Sequence, residues 1–247
     1  MKICVLASGS KGNCTYIESK DTKILVDIGM SCNYIENNLK EMNINSRDID
    51  GILLTHLHND HICGLKIFCK KYNTKIYISS KMLDGLKDLI NIENVNYISK
   101  EMSIKDINIK VIKTSHDIES YGYIFDDNIV YITDTGYINI KYFDMLKNKK
   151  IYIIESNHDI ETLINGNYPY ILKQRILSDK GHLSNKDCSY YLSQLVGNNT
   201  EYVILAHLSE NNNTREKALE EYKYKNKNKN IKVIVATQNE RTKSIKI

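Results

Sequence analysis

The stretch that most constrains this chain is residues 51–64, Gly-Ile-Leu-Leu-Thr-His-Leu-His-Asn-Asp-His-Ile-Cys-Gly. The apolar run Ile52–Leu54 reads as a buried strand that breaks into a polar loop. That loop packs His56, His58, Asp60 and His61 into six positions. Imidazoles with a carboxylate are the donors a zinc-like transition metal prefers. The spacing allows two subsites, with His56 and His58 pointing one way and Asp60 and His61 turning towards a second ion. A polar surface turn has no reason to concentrate four ligand-type side chains directly after a core strand. The stretch reads as a metal site.

Around it, the sequence alternates strand and helix signals. Strands are expected at 2–7, 14–18 and 23–27, the last ending in Asp27 before Gly29. Apolar residues Ile35, Leu39 and Met42 predict a helix over 31–45. Beyond the metal loop, a helix is expected over 65–72, a strand over 75–79 and a helix over 80–92. Strands at 94–98 and 107–113 lead to Ser115-His116-Asp117. A hairpin of 120–125 and 129–133 turns at Asp126-Asp127-Asn128 and ends at Asp134-Thr135-Gly136. A helix over 138–147 precedes a strand over 151–155 that closes on Glu155. Helices at 172–177 and 186–195 flank Gly181-His182-Leu183-Ser184. A strand at 201–205 runs into Ala206-His207, followed by a helix over 214–224 and a last strand over 232–236.

No linker, repeat or low-complexity block divides the 247 residues, so one domain spanning 1–247 is expected. Hydrophobic residues make up 42%, enough for a core, although Trp is absent. Ile, Leu and the 18 Tyr must therefore fill it. The net charge of +4 permits an anionic substrate without demanding one. The stretch 223–232 alternates Lys with Asn and Tyr, which fits either a solvated helix end or a contact with a polyanion. Six cysteines form no Cys-x-x-Cys pair. The apolar stretch Ile3–Ala7 is too short for a signal peptide, and no segment reaches the length of a membrane span. A cytoplasmic protein with reduced thiols and no membrane partner is expected.

Asp27, the four loop ligands, His116, Asp134, Glu155 and His207 all follow expected core strands. Six of the seven histidines lie in short polar loops rather than scattered over helices. His158 is the exception, read equally as a turn residue capping the next helix or as a group near the metals. Strand ends gathered on one edge would bring these side chains into a single cleft.

Here the chain resembles the metallo-β-lactamase-fold hydrolases. His56-Leu57-His58-Asn59-Asp60-His61 matches their His-x-His-x-Asp-His signature, with Asp27, His116, Asp134 and His207 following in order. The resemblance implies an α/β (α+β) fold, a four-layer αββα sandwich of two mixed β-sheets, with a two-metal centre. By that analogy one ion takes His56, His58 and His116, and the other takes Asp60, His61 and His207. Asp134 bridges the ions, while Asp27 holds a group of the metal loop. The ions would be Zn2+ or Mn2+, with Fe also compatible with these ligands.

Glu155-Ser156-Asn157, with Gly181-His182-Leu183-Ser184 downstream, resembles the Glu and His pair of ribonuclease Z-like phosphodiesterases. In that likeness His182 protonates the leaving oxygen, Glu155 orients it, and Asp60 joins them as a catalytic carboxylate. An alkoxide leaving from a phosphodiester needs that proton. Further strings resemble the YycJ (WalJ)-like branch: Ser8-Gly9-Ser10-Lys11-Gly12-Asn13, Asn157-His158-Asp159, Tyr168-Pro169-Tyr170, and Ala206-His207-Leu208-Ser209. The branch implies a metal-dependent nuclease, 5′-3′ exonuclease-like on DNA, in which a hydroxide between two ions attacks. Ser10, Asn13, Lys173 and Arg175 are candidate substrate contacts. A thioesterase or lactonase on the same centre is the alternative.

Overall fold

Runs such as Ile-Tyr-Ile-Ile at 151–154 and Val-Ile-Leu-Ala at 203–206 carry no polar alternation. Such strands are stable only when both faces are covered, the situation of parallel strands inside a sheet. A computed structural model describes residues 1–247, and it places those runs in that setting. The chain forms two compact units, Met1–Val111 with Gln238–Ile247, and Ile112–Thr237.

The first unit holds β1 (Lys2–Ala7), β2 (Cys14–Glu18), β3 (Lys23–Val26), β4 (Gly51–Leu53), β5 (Lys75–Ile78), β6 (Val95–Tyr97) and, from the C-terminus, β14 (Ile245–Lys246). They make one seven-stranded sheet in the order β14-β1-β2-β3-β4-β5-β6. Pairing is antiparallel from β14 to β3 and parallel from β3 to β6. Its helices are α1 (Cys32–Glu41), α2 (Asn59–Ile62), α3 (Leu65–Tyr72) and α4 (Leu83–Leu86).

The second sheet runs β13-β12-β11-β10-β9-β8-β7. Its strands are β7 (Glu101–Ile104), β8 (Ile107–Lys113), β9 (Tyr121–Phe125), β10 (Ile129–Ile132), β11 (Ile151–Glu155), β12 (Tyr202–Ala206) and β13 (Lys232–Val235). From β10 to β13 all neighbours are parallel, whereas β7 with β8 and β9 with β10 are antiparallel. Helices α5 (Phe143–Leu146), α6 (Ile160–Asn165), α7 (Tyr170–Leu177), α8 (Asn185–Leu195) and α9 (Arg215–Lys225) accompany it. Apolar residues of α8 and α9, such as Leu192 and Ala218, pack with Tyr152, Ile154 and Val203 in one core. Both sheets are therefore mixed and flanked by helices.

Several expected boundaries shift, each for a local reason. The helix foreseen over 31–45 ends at Glu41, because Asn43 takes φ 60° and turns the chain. Over 80–92 only a 3-10 turn at Ser80–Met82 and α4 form, and over 138–147 only Ile140–Tyr142 and α5. Strand β3 stops one residue early, since Asp27 leaves it at φ 58°. The cap of α6 is Asp159, whose side chain accepts from the Thr162 amide, so capping is not a task of His158. Helices α2 and α6 and strands β7 and β14 had no usable periodicity at their short lengths.

The loops that carry the ligand-type residues are stitched to one another in the first unit. Asn13 N–H donates to Asp60 O at 2.8 Å, Gly29 N–H to Asn13 O at 2.8 Å, and Ile28 N–H to His61 O at 2.8 Å. This closeness requires glycine at position 29, where a Cβ would stand 1.6 Å from Asp60 O and 2.6 Å from Asn13 N. Both obstacles are backbone, which no rotamer change can move. Gly29→Ala is expected to lower stability by about 3 kcal/mol. Urea denaturation of the two proteins checks this, and an unchanged midpoint would show that the loops are not so tightly held.

Candidate metal centre

Parallel strands deliver their following loops to one carboxyl edge, where ligands of α/β sheets gather. In the first unit β3 delivers Asp27, and β4 delivers Thr55, His56 and, through α2, Asp60 and His61. In the second, β10 delivers Asp134, β11 ends on Glu155 and β12 delivers His207. Asp27, Asp134 and His207 adopt left-handed backbone, with φ of 58°, 53° and 55°. Short polar residues tolerate that region better than other side chains, and such strain collects at functional sites.

Asp27 lies fully buried in the first unit. Its Oδ1 accepts from Thr55 N–H at 2.8 Å, and its Oδ2 accepts from the Thr55 hydroxyl at 2.8 Å. The same Oδ2 lies 2.8 Å from His61 Nδ1. Burial pushes the Asp27 carboxyl up, opposed by the charge and hydrogen bond of His61 and by the two bonds from Thr55. Thr55 Oγ1, having donated to Asp27, can accept from His56 Nδ1 at 3.0 Å. Each imidazole thus carries its proton on Nδ1 and presents the Nε2 lone pair, the arrangement a metal ligand needs. His56 Nε2 and His58 Nδ1 approach to 3.1 Å. Two nitrogens on one tetrahedral zinc would stand roughly 3.3 Å apart, given the usual bond length. Asp60 Oδ2 is 3.3 Å from His61 Nε2. The donor set fits divalent metal.

Glu155 plays the matching part in the second unit, also fully buried. Its Oε1 lies 2.7 Å from His182 Nδ1 and 2.8 Å from His207 Nδ1. Its Oε2 accepts from the amides of Thr135 at 3.0 Å and Leu183 at 3.2 Å. Burial alone would raise this carboxyl, but the charges and hydrogen bonds of His182 and His207 hold it down at about 2. Burial in turn would lower His182, and the Glu155 charge and hydrogen bond reverse that and raise it. His207 Nε2 stands 3.5 Å from Asp134 Oδ1. The ligand atoms of Asp134, Glu155, His182 and His207 all lie within 4.8 Å of one another. His116 directs Nδ1 at the Gly181 carbonyl, 3.3 Å away. Burial lowers its pKa against the pull of Asp134, which favours the neutral, ligating ring.

Within each unit the expected residues come together. The candidate substrate contacts divide. Ser10 is exposed, whereas Asn13 is buried and its amide reaches His61 Nε2 at 3.1 Å and Asp60 Oδ2 at 3.2 Å. The Lys173 ammonium holds the carbonyls of Ile164 and Gly166, each at 2.7 Å. Arg175 is largely exposed, 3.8 Å from Asp117. His158 is buried at 1% exposure with neither ring nitrogen hydrogen-bonded, and burial holds its pKa down at about 4. Sequence reasoning missed Thr55 and the backbone amides of Thr135 and Leu183. A threonine between a strand and a histidine was the only available signal for the first.

The model of the "Metallo-beta-lactamase superfamily" matches residues 7–207. The chain is 39% identical over 228 residues to "Exodeoxyribonuclease WalJ" of Streptococcus pneumoniae, covering 88% of this chain and 85% of that protein. It is also 39% identical over 223 residues to "Exodeoxyribonuclease YycJ" of Bacillus anthracis, covering 87% and 84%. Among solved structures, the metallo-β-lactamase fold protein YhfI from Bacillus subtilis superposes with a TM-score of 0.74 at 17% identity, covering 98% of each chain. The short form of human tRNase Z superposes at 0.66 with 14% identity over the full length of both. Those two likenesses concern the fold. By the family match and the two relatives, this chain belongs to the metallo-β-lactamase superfamily.

Proposed function

We propose that the protein is a metal-dependent phosphodiesterase acting on nucleic acid, an exonuclease working 5′-3′ on DNA, whose two units act as one catalytic domain. The observation that carries this reading is the 2.7 Å contact between His182 Nδ1 and the buried Glu155 carboxylate. Two relatives at 39% identity carrying the name exodeoxyribonuclease support it. The metal-holding residues proposed are His56, His58 and His116 for one ion and Asp60, His61 and His207 for the other, with Asp134 shared. Zn2+, Mn2+ and Fe all suit this set. When bound, two divalent ions supply Lewis acidity, lowering the pKa of water and neutralising the phosphoryl oxygens.

The chain's own groups do the rest. Glu155 fixes the His182 ring by taking its Nδ1 proton in a hydrogen bond, so Nε2 is the nitrogen that exchanges a proton. The Glu155 charge and hydrogen bond raise the pKa of His182 and so favour the protonated ring, which donates to the departing oxygen. Asp60 serves as a ligand and as the carboxylate beside the reacting phosphate. Ser10 and Arg175, both open to solvent, are the substrate contacts this arrangement leaves available, while Asn13 acts by holding Asp60 through its backbone and side-chain amides. All six cysteines are free, which supports a reducing, cytoplasmic setting. No helix is long and apolar enough to cross a membrane.

Three outcomes follow from these assignments. His182→Ala is expected to retain its metal by mass spectrometry and lose roughly 10²- to 10⁴-fold in turnover of DNA. Loss of metal instead would make His182 a ligand. Persistent full activity, or activity on thioesters but not on bis(p-nitrophenyl) phosphate, would favour the thioesterase or lactonase alternative. Asp27→Asn is expected to weaken metal binding about 10- to 100-fold in competition with a chelator. Glu155, depressed in the folded metal-free protein to about 2, contributes stability that is fully present above its usual value of 4.5. That contribution fades as the pH falls through about 2. Glu155→Gln is expected to cost roughly 3–5 kcal/mol at neutral pH and to flatten the acid limb of apoprotein stability. Denaturation across pH reads both effects.

A further inference from the structure

The stretch Lys223–Lys232 holds five lysines and no acidic residue. It begins in the last turn of α9 and runs into β13, entirely within the second unit. Glu220 and Glu221 lie just before it, yet no carboxylate is paired with these lysines. Three of them lie over tyrosine rings. Lys225 Nζ is 5.6 Å from the Tyr190 centroid, Lys227 is 5.3 Å from Tyr224, and Lys232 is 5.2 Å from Tyr202. Tyr224 is 74% exposed and Tyr190 50% exposed, large aromatic faces left in water. Beside them opens a cavity of about 560 Å³ lined by Leu219, Ile231 and Val233 together with Lys223, Lys227 and Lys229.

Cations that engage rings rather than carboxylates keep their charge available to a ligand. Apolar and cationic lining residues with exposed aromatic rings nearby together suit a molecule with planar apolar parts joined by anions. Its volume lies in the range of cavities that receive small ligands or single ligand units. An acidic peptide would use the charge and leave the rings idle. A duplex would offer phosphates but keep its bases stacked. The unstacked bases and phosphates of a single strand use both.

The position adds a length requirement. β12 and β13 are parallel with Tyr202 opposite Lys232, so the lysine-rich cavity lies towards the start of β12, at the end away from His207. The five residues of β12 separate the two ends by roughly 17 Å. We propose that this patch is an anchoring site for single-stranded nucleic acid, remote from the hydrolytic groups and reached only by strands several nucleotides long. The choice of nucleic acid as the ligand rests on the function proposed above.

The test compares wild type with the triple variant Lys223→Gln, Lys227→Gln, Lys229→Gln and with Tyr224→Ala. Binding is read by fluorescence anisotropy with thymidine oligonucleotides of about 20 and about 4 residues, using metal-loaded protein in the His182→Ala background to prevent digestion. The triple variant should weaken the longer oligonucleotide about tenfold or more and reduce the salt slope by about 2, with Tyr224→Ala weakening it severalfold. Binding of the short oligonucleotide should not change. With His182 intact, neither set should alter hydrolysis of bis(p-nitrophenyl) phosphate. Unchanged affinity and salt slope for the longer strand would overturn the proposal, as would binding of the patch to anionic lipid vesicles but not to oligonucleotide. A wild type that binds the strand through these lysines but hydrolyses no phosphodiester would overturn the enzymatic reading and leave the anchoring site standing.

Discussion

In each unit a fully buried carboxylate, Asp27 in the first and Glu155 in the second, holds the loops around it. Removing a carboxylate from water costs several kcal/mol unless its lone pairs are taken up by donors. Asp27 is satisfied by the amide and hydroxyl of Thr55 and by His61. Glu155 is satisfied by two imidazoles and two backbone amides. Those donors cannot drift without exposing an uncompensated charge, so the carboxylate fixes the loops around it. The same bonds set the tautomers of the ligand-type rings. Stability and ligand geometry therefore depend on the same few hydrogen bonds.

The sequence revealed much of this and hid a definable part. Continuous apolar runs such as Ile-Tyr-Ile-Ile marked strands, while their parallel pairing emerged only in the structure. His56, His58, Asp60 and His61 stood out because they interrupt such a run. Glu155 was legible as an acid at a strand end with His182 as its partner. Its second bond, to His207, depends on sheet register: Glu155 lies opposite Ala206, which places His207 beside it. Register between strands about fifty positions apart leaves no local trace. The amides of Thr135 and Leu183 are backbone groups and carry no side-chain signature at all.

Short elements were hidden for another reason. Helix α2 has four residues, less than two turns, so periodicity cannot identify it. Yet α2 decides how Asp60 and His61 are presented, since it turns the chain between His58 and Cys63. Asn13 shows a related limit. Its place in a glycine-containing loop suggested a contact with substrate, whereas its amide groups turn onto Asp60. A small polar side chain in a tight loop looks the same in sequence whether it faces a ligand or braces one.

Backbone strain explains why particular residue types stand at the strand ends. Asp27, Asp134 and His207 occupy left-handed backbone, each at a cost of order 1–3 kcal/mol. Glycine would adopt that conformation with little strain. It would also leave the carboxyl edge without a donor at the position where the chain turns. The strain persists because hydrogen bonds on both sides hold the turn, such as Asp27 N–H to Leu53 O at 3.0 Å. The buried strands that precede these residues supply the rigidity, and the turn supplies the direction. A ligand-type side chain at such a point is held by backbone it cannot relax, which is how a sheet of ordinary apolar strands comes to present a fixed set of donors at one edge.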